Sequence, residues 1–293
     1  MTTTVKEDSA ENTFVSRRKK LFLIAYRMTG SICDSEDLVQ DAWLRWQRTG
    51  ASQARDADRY LTRIIVNLAR DHLVSARRQR ERYIGTWLPE PLLAEPSRAE
   101  EGLIEEEAIR FALLHICEAL TPNERAVFVL RECLELDFRT IAALLALSPA
   151  NCRKLAQRSR DKLRAHREIA PRDAPADLLL AFSEAARSGN PDALIRLLRD
   201  DAVLLSDGGG KALAALHPVR SPLPIARFFS ATARALRPED LHPILVNGAA
   251  GLLATPTNQP CTCLTATIDH PGRITTIYLL RNPDKIHIPG HGI

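Results

Sequence analysis

The sequence predicts a multidomain protein in which two all-α helical units precede an α+β domain. Three observations carry this. Residues 13–80 and 105–167 place apolar side chains at three- and four-residue spacing, with clear helix caps and almost no Gly or Pro. Residues 81–104 gather Pro89, Pro91 and Pro96 among acidic side chains, as a linker does. From about residue 172 the pattern becomes helices followed by alternating runs, TCLTATI and ITTIYLL, split by the turn signal Asp269-His270-Pro271-Gly272. The expected boundaries are therefore 13–80, 81–104, 105–167 and 173–288, and 293 residues leave room for them.

Composition narrows the class. With 45% hydrophobic and 26% charged residues, neither general disorder nor a fibrous repeat fits. Forty Lys and Arg against 36 Asp and Glu leave a formal +4, too little to indicate nucleic acid until the charges are located. The polar start has no apolar h-region and no stretch approaches a membrane span, so a cytoplasmic protein with no membrane partner is expected. Cys33, Cys117, Cys133, Cys152, Cys261 and Cys263 include one C-x-C and no second ligand pair, so packed reduced thiols are expected, with no metal and no cofactor.

In the first block Asp34 reads as an N-cap, with Glu36 and Asp37 in the first turn. Leu38, Val39, Ala42, Trp43 and Trp46 form the buried stripe of that helix, leaving Asp37, Gln40, Asp41, Arg45 and Arg48 outward. A later helix, from about Asp58 to Arg80, buries Leu61, Ile64, Ile65, Leu68 and Leu73. It turns Arg59, Arg63, Asn67, Arg70 and Arg77 to one side, with Arg78 and Arg80 adding a basic end suited to phosphates. Taken alone, the mixed face of the first helix reads more readily as plain solvation, and the basic face of the later one is equally consistent with it.

The second block is punctuated as a helix-turn-helix. Thr121-Pro122-Asn123-Glu124 is a capping box with Pro at the first helical position, Asp137 opens a second helix, and Ser148-Pro149 opens a third after a short turn. On the third helix Cys152, Ala156, Ser159 and Leu163 make one small, apolar stripe. The opposite face carries Asn151, Arg153, Lys154, Gln157, Arg158, Arg160 and Arg164, side chains that contact base edges and phosphates in a major groove.

AYRMTGSICDSEDLVQDAWLRWQR and YLTRIIVNLARDHLVSARRQR resemble domain 2, and ALTPNERAVFVLRECLELDFRTIAALLALSPANCRKLAQRSRDKLR resembles domain 4, of the extracytoplasmic-function sigma factors of the sigma-70 family. These are bacterial subunits that give RNA polymerase its promoter choice. The resemblance implies that Asp37, Gln40, Asp41 and Arg45 bind core polymerase at the β′ clamp helices, with the β subunit also a partner. It implies that Arg59, Arg63, Asn67, Arg70, Arg77 and Arg78, with residues of the 50–58 loop, meet the minus-10 element, although that loop lacks aromatics for base stacking. Asn151, Arg153, Lys154, Gln157 and Arg158 would meet the minus-35 element.

Most members of that family end near the position of Arg167. Three further matches, Trp87-Leu88-Pro89-Glu90-Pro91, Asp207-Gly208-Gly209-Gly210-Lys211 and Asn282-Pro283-Asp284-Lys285-Ile286, resemble the subgroup fused to a SnoaL-like domain, an α+β cone in which a curved sheet wraps a pocket. The resemblance implies that these residues control the arrangement of the DNA-binding domains in cis, in a factor that is a monomer when free. Three adjacent glycines allow a close approach, and Asp207 and Lys211 bracket them with opposite charge.

Two other function classes remain in view. A helix-turn-helix repressor or activator would bind duplex operators without polymerase. An enzyme would use the cone, which has room for a small unidentified ligand. Asp207, His217 and His242 are its lone candidate groups, the late strands offer mainly hydroxyls with Tyr278, and the turn ending in Lys211 lacks nucleotide-cradle spacing. No catalytic residue is expected.

Overall fold

The computed structural model describes residues 2–49, 56–80, 82–96, 109–166, 172–233, 236–257 and 259–288. Contacts divide it into two compact units, Met1–Glu81 with Ile116–His166, and Arg82–His115 with Arg167–Ile293.

The first unit opens with three helices, α1 (Thr2–Thr29), α2 (Ile32–Thr49) and α3 (Ala57–Arg80). The expected stripes are inside except at Trp43, which is half-buried on a groove: Leu38, Val39, Ala42 and Trp46 of α2 and Leu61, Ile64, Ile65, Leu68 and Leu73 of α3 are buried with Leu21, Ile24 and Tyr26 of α1. The start of α2 differs from expectation. The helix begins at Ile32, and Ser31 supplies the cap, its Oγ accepting from Asp34 N at 3.1 Å. Asp34 instead lies 3.2 Å from His72 Nε2 of α3, and this neighbour is the main reason its carboxyl sits below the usual Asp value.

α4 (Phe111–Ile116) lies almost wholly in the second unit, and the first resumes with a 3₁₀ turn at Cys117–Ala119, α5 (Pro122–Phe128), a π-helical turn at Val129–Cys133, α6 (Phe138–Leu145) and α7 (Pro149–His166). The caps are those expected. Thr121 Oγ1 accepts from Glu124 N at 3.4 Å while Glu124 Oε2 accepts from Thr121 N at 2.9 Å. Asp137 Oδ1 accepts from Arg139 N and Thr140 N, and Ser148 Oγ accepts from Asn151 N at 3.2 Å. Ala146, with φ 55°, turns the chain between α6 and α7.

The second unit is a mixed sheet with helices. Its elements are β1 (Leu93–Ala94), β2 (Arg172–Asp173), α8 (Ala176–Ser188), α9 (Pro191–Leu197), β3 (Leu198–Asp207), β4 (Val219–Arg220), α10 (Pro222–Thr232), β5 (Leu241–Val246), β6 (Ala249–Ala254), β7 (Thr262–Ile268) and β8 (Ile274–Leu280). The strand order is β1-β5-β6-β7-β8-β3-β4, with β2 paired to β7, and all pairings are antiparallel except β3 with β8. The runs TCLTATI and ITTIYLL are β7 and β8, and Asp269 Oδ1 closes the turn between them by accepting from Arg273 N at 2.7 Å.

Alternate residues serve two cores. Leu264, Ala266, Ile274, Ile277 and Leu279 pack with Leu179, Phe182, Leu194, Ile225 and Phe229 of the helices. Cys263, Tyr278 and Leu280 pack with Leu88, Phe111, Ala112 and Ile286. The second cluster changes the expected domain map: part of the 81–104 linker and the first residues of the 105–167 block join the α+β unit. Leu88, Phe111 and Ala112 are the apolar groups that cover the sheet's other face, so burial draws them there.

Candidate functional site

The expected polymerase set on α2 is presented to solvent, with Asp37, Gln40, Asp41 and Arg45 all exposed. Gln40 borders a groove of about 360 Å³ shared with Phe14, Val15, Arg18, Glu36, Val39 and Trp43. Arg45 does not join it. Arg45 instead lines a hollow of about 340 Å³ with Arg48, Tyr60, Arg63, Ile64 and Asn67. Two residues expected at the minus-10 element, Arg63 and Asn67, therefore share a concavity with two more arginines and an aromatic ring. The Tyr60 ring sits 5.8 Å from Trp46, and the Arg63 guanidinium lies 5.7 Å from its centre. Tyr60 supplies an aromatic next to the 50–58 loop, which carries none.

Arg59 and Arg63 are exposed, whereas Asn67 and Arg70 are half-buried and reach α6. Asn67 Nδ2 lies 2.9 Å from Arg63 O and 3.5 Å from Leu144 O, and Arg70 Nη1 lies 3.4 Å from Leu145 O. The side chains of Arg77 and Arg78 and residues 50–55 lie outside the described residues.

On α7 the two-sided split is complete. Asn151, Arg153, Lys154, Gln157 and Arg158 are exposed, while Cys152, Ala156, Ser159 and Leu163 are buried. Ser159 Oγ donates to Glu124 O at 3.0 Å, and Lys162 Nζ lies 2.7 Å from Glu124 Oε2, so α7 is fixed to α5 on its inner side. Arg153 is steadied by the Phe138 ring 5.7 Å away.

An ion cluster that sequence reasoning missed lies inside the first unit. Glu118 accepts from Arg80 Nη1 and from Arg125 Nη1; Arg125 Nε also donates to Arg27 O at 3.1 Å, and Arg80 Nη2 to Thr29 O at 2.7 Å. Burial lowers the Arg125 guanidinium from the usual Arg value to about 10, which leaves it charged at neutral pH.

In the second unit the three short motifs converge on Asp207, whose side chain is 0% exposed. Its Oδ2 accepts from Leu88 N at 2.9 Å and from Lys285 Nζ at 2.8 Å; its Oδ1 accepts from Tyr83 Oη at 2.6 Å and Gly209 N at 3.0 Å. Lys285 Nζ also donates to Leu88 O at 2.6 Å and lies 4.2 Å from the Trp87 ring. Burial and then the Asp207 charge push the Tyr83 phenol well above the usual Tyr value. Leu88, Pro89, Glu90 and Pro91 are buried, so WLPEP is a packed segment rather than a spacer in solvent.

The glycines serve close approach. A Cβ on Gly208 would strike the Ala212 carbonyl, and one on Gly209, with φ +59°, would strike the Asn282 amide. Asn282 donates to Tyr83 Oη at 2.9 Å and accepts from Asp284 N at 3.0 Å, and exposed Pro283 follows it. Asp207 and Lys211 do not pair with each other: Lys211 reaches Asp284 at 2.6 Å on the surface, while exposed Gly210 faces Ile84. Asn247, also missed, holds both flanks of the linker, its Oδ1 accepting from Leu92 N and its Nδ2 donating to Ile109 O. The signal for its turn was Asn247-Gly248 between two apolar runs.

Beneath α8 and α10 the sheet leaves a cavity of about 50 Å³ lined by Phe182, Ser183, Ala186, Arg187, Phe229, Ala233, Leu236, Leu241, Leu252, Ala254, Thr262, Leu264 and Leu279. Asp207, His217, His242 and Tyr278 are not in its wall, which carries no carboxylate, imidazole or thiol to act as acid, base or nucleophile. Among the described residues no helix is long and apolar enough to cross a membrane.

A helix-turn-helix with a basic outer face, beside a three-helix part with its own arginine-lined hollow, defines the class of DNA-binding transcription factors. The description Sigma-70 region 2 matches residues 14–79 and Sigma-70, region 4 matches 110–163. The chain is 31% identical over 286 residues to the ECF RNA polymerase sigma factor SigJ of Mycobacterium tuberculosis, covering 93% of this chain and 91% of that one. It is 30% identical to the probable ECF RNA polymerase sigma factor SigI of the same species, covering 96% of each. The crystal structure of M. tuberculosis SigJ superposes with a TM-score of 0.74 at 30% identity, covering 92% of this chain and 95% of that one. The chain belongs to the extracytoplasmic-function sigma factors of the sigma-70 family; it is a transcription initiation subunit that binds core RNA polymerase and promoter DNA, and not an enzyme.

Proposed function

We propose that this sigma factor is regulated in cis by its α+β domain, acting through the linker, and that its contacts divide among three helices. The α2 face of Asp37, Gln40 and Asp41 engages the β′ clamp helices. The hollow of Arg45, Arg63 and Asn67, with Arg59 and Arg70 beside it, takes the minus-10 strand, and Asn151, Arg153, Lys154, Gln157 and Arg158 of α7 take the minus-35 duplex. It works beside the polymerase in the cytoplasm.

The observation that carries the regulatory part is the grip of Asp207 and Lys285 on both backbone groups of Leu88. A linker sets how far apart its two ends reach. With Tyr83, Leu88 and Leu92–Ala94 held to the α+β unit and Ile109 held by Asn247, little chain is left to span the two promoter elements. Releasing WLPEP lengthens that span.

Transcription by core polymerase reconstituted with the full chain tests this. Gly209→Ala and Lys285→Met are expected to change promoter-specific RNA output at least fivefold while leaving the helical content intact. Equal output and equal polymerase affinity in both variants would overturn cis control. A wild-type protein that never enters polymerase would overturn the assignment of the α2 face.

A further inference from the structure

We propose that the cavity beneath α8 and α10 binds a small uncharged molecule with an apolar body and one carbonyl-type acceptor, and that Arg281 carries its occupancy to the Asp207 turn; the second half rests on the reading of cis control above.

The wall sets the size and polarity of the occupant. Phe182, Phe229, Leu252, Leu264 and Leu279 make an apolar floor, and Ala186, Ala233 and Ala254 leave the space that larger side chains would fill. Ser183, Arg187, Leu236, Leu241 and Thr262 of the same wall are only half-buried and so mark the mouth. At about 10–15 Å³ for each water-sized group, the volume of about 50 Å³ admits about four such groups, and a longer body would emerge through the mouth.

One donor in this wall is unmet. Arg187 Nε is buried without a hydrogen-bond partner among the described residues, while Arg187 Nη1 lies 3.1 Å from Glu184 Oε2. The two hydroxyls of the wall are engaged: Ser183 Oγ donates to Leu180 O at 2.8 Å, and Thr262 Oγ1 accepts from Arg281 Nε at 3.3 Å. A buried water needs about two to four polar partners, and one donor in an apolar wall holds it poorly. An acceptor on an apolar molecule meets Nε and relieves the desolvation cost of a buried, unpaired donor. That acceptor is neutral. The guanidinium already has Glu184 beside it, and a second carboxylate would lose its water against an apolar floor. Ketones, esters and lactones meet these conditions.

The mouth is tied to the turn that holds the linker. Arg281 bridges from Thr262 in the wall to Leu213 O, which its Nη1 meets at 2.7 Å. Its backbone N–H donates to Asp207 O at 2.7 Å, and the Asp207 carboxylate holds Leu88. An occupant that binds only the folded wall suppresses local opening there, and the Arg281 bridge extends that effect to 207–213.

The test titrates the full-length protein with cyclopentanone, cyclopentane and cyclopentanecarboxylate by ligand-observed NMR and follows amide hydrogen exchange across 207–213. Cyclopentanone is expected to bind at least tenfold more tightly than the other two and to slow that exchange at least threefold. Arg187→Met should reduce cyclopentanone to the affinity of cyclopentane and leave cyclopentane unchanged. Ala254→Val should weaken both at least tenfold, and Ala186→Val fills the same space from α8 if the first variant fails to fold. Arg281→Lys, which reaches one partner at a time, should bind cyclopentanone as the wild type does and lose the exchange response. Absent or equal affinity for the three compounds, or a preference that survives Arg187→Met, would overturn the site. No exchange response in the wild type, or one that survives Arg281→Lys, would overturn the coupling. RNA output from Gly209→Ala, run alongside, reports separately on cis control.

Discussion

Two ion clusters, one in each unit, are built to different designs: Asp207 and Lys285 are buried, whereas Glu118 and Arg80 are half-buried around a buried Arg125. Around Asp207 the valences close: one carboxylate meets one ammonium, two backbone N–H groups and a phenol, and the ammonium also meets a carbonyl and an aromatic face. Around Glu118 one carboxylate serves two guanidinium groups, and one of their nitrogens has no partner among the described residues. The first cluster grips the Leu88 backbone within its unit, and letting that segment go uncovers a carboxylate and an ammonium together. The second relies on side chains reaching across to a helix end, where Arg80 also acts on the Asp34 carboxylate.

Substitutions sharpen the contrast in order of size. Asp207→Ala strands the Lys285 ammonium and should cost the second unit about 3–5 kcal/mol, read as a lower urea midpoint for loss of its sheet signal. A cost below about 1 kcal/mol would mean that the joint is not closed. Gly209→Ala should cost about 1–3 kcal/mol in the same assay, because the residue sits at φ +59° against Asn282. On α7, Arg153→Ala and Arg158→Ala should each lose about 1–3 kcal/mol of base discrimination or flatten the salt slope by about one ion, measured on minus-35 duplexes bound by the holoenzyme. Unchanged binding in both would break the assignment of that face.

The smallest effect concerns pH. Burial raises the Glu124 carboxyl, but its bonds to Lys162 and Thr121 outweigh this, so its value is lower folded than unfolded. Its contribution is therefore fully present above the ordinary Glu value and is lost as pH falls through the folded one. Once the pH has fallen through that folded value the capping box should have given up about 1 kcal/mol. Glu124→Gln should remove that acid sensitivity from the thermal midpoint of the first unit.

What the sequence made legible was local. Thr121, Asp137 and Ser148 cap helices with atoms two or three residues away, and β7 and β8 alternate between two cores, so both kinds of feature leave a pattern in a short window. The outward sets on α2 and α7 were readable for the same reason. Asp34 misled because Ser31, three residues earlier, is an equally good cap, and the carboxylate had a distant partner in His72. The parallel pairing of β3 with β8, the grouping of Arg45 with Asn67, and the Glu118 cluster join residues tens of positions apart, and no periodicity records such meetings. The convergence of WLPEP, DGGGK and NPDK was expected only through resemblance; its chemistry, a buried carboxylate with its ammonium, emerges from the fold.

The shared outer face of the sheet bears on how such a tail is gained or lost. Leu88, Phe111 and Ala112 precede the helix-turn-helix in the chain, yet they are dry only because residues beyond 240 lie against them. A cut after His166 would not yield a tidy shorter factor. It would leave three greasy side chains bare, and any lineage shedding the tail must first repaint them with polar residues.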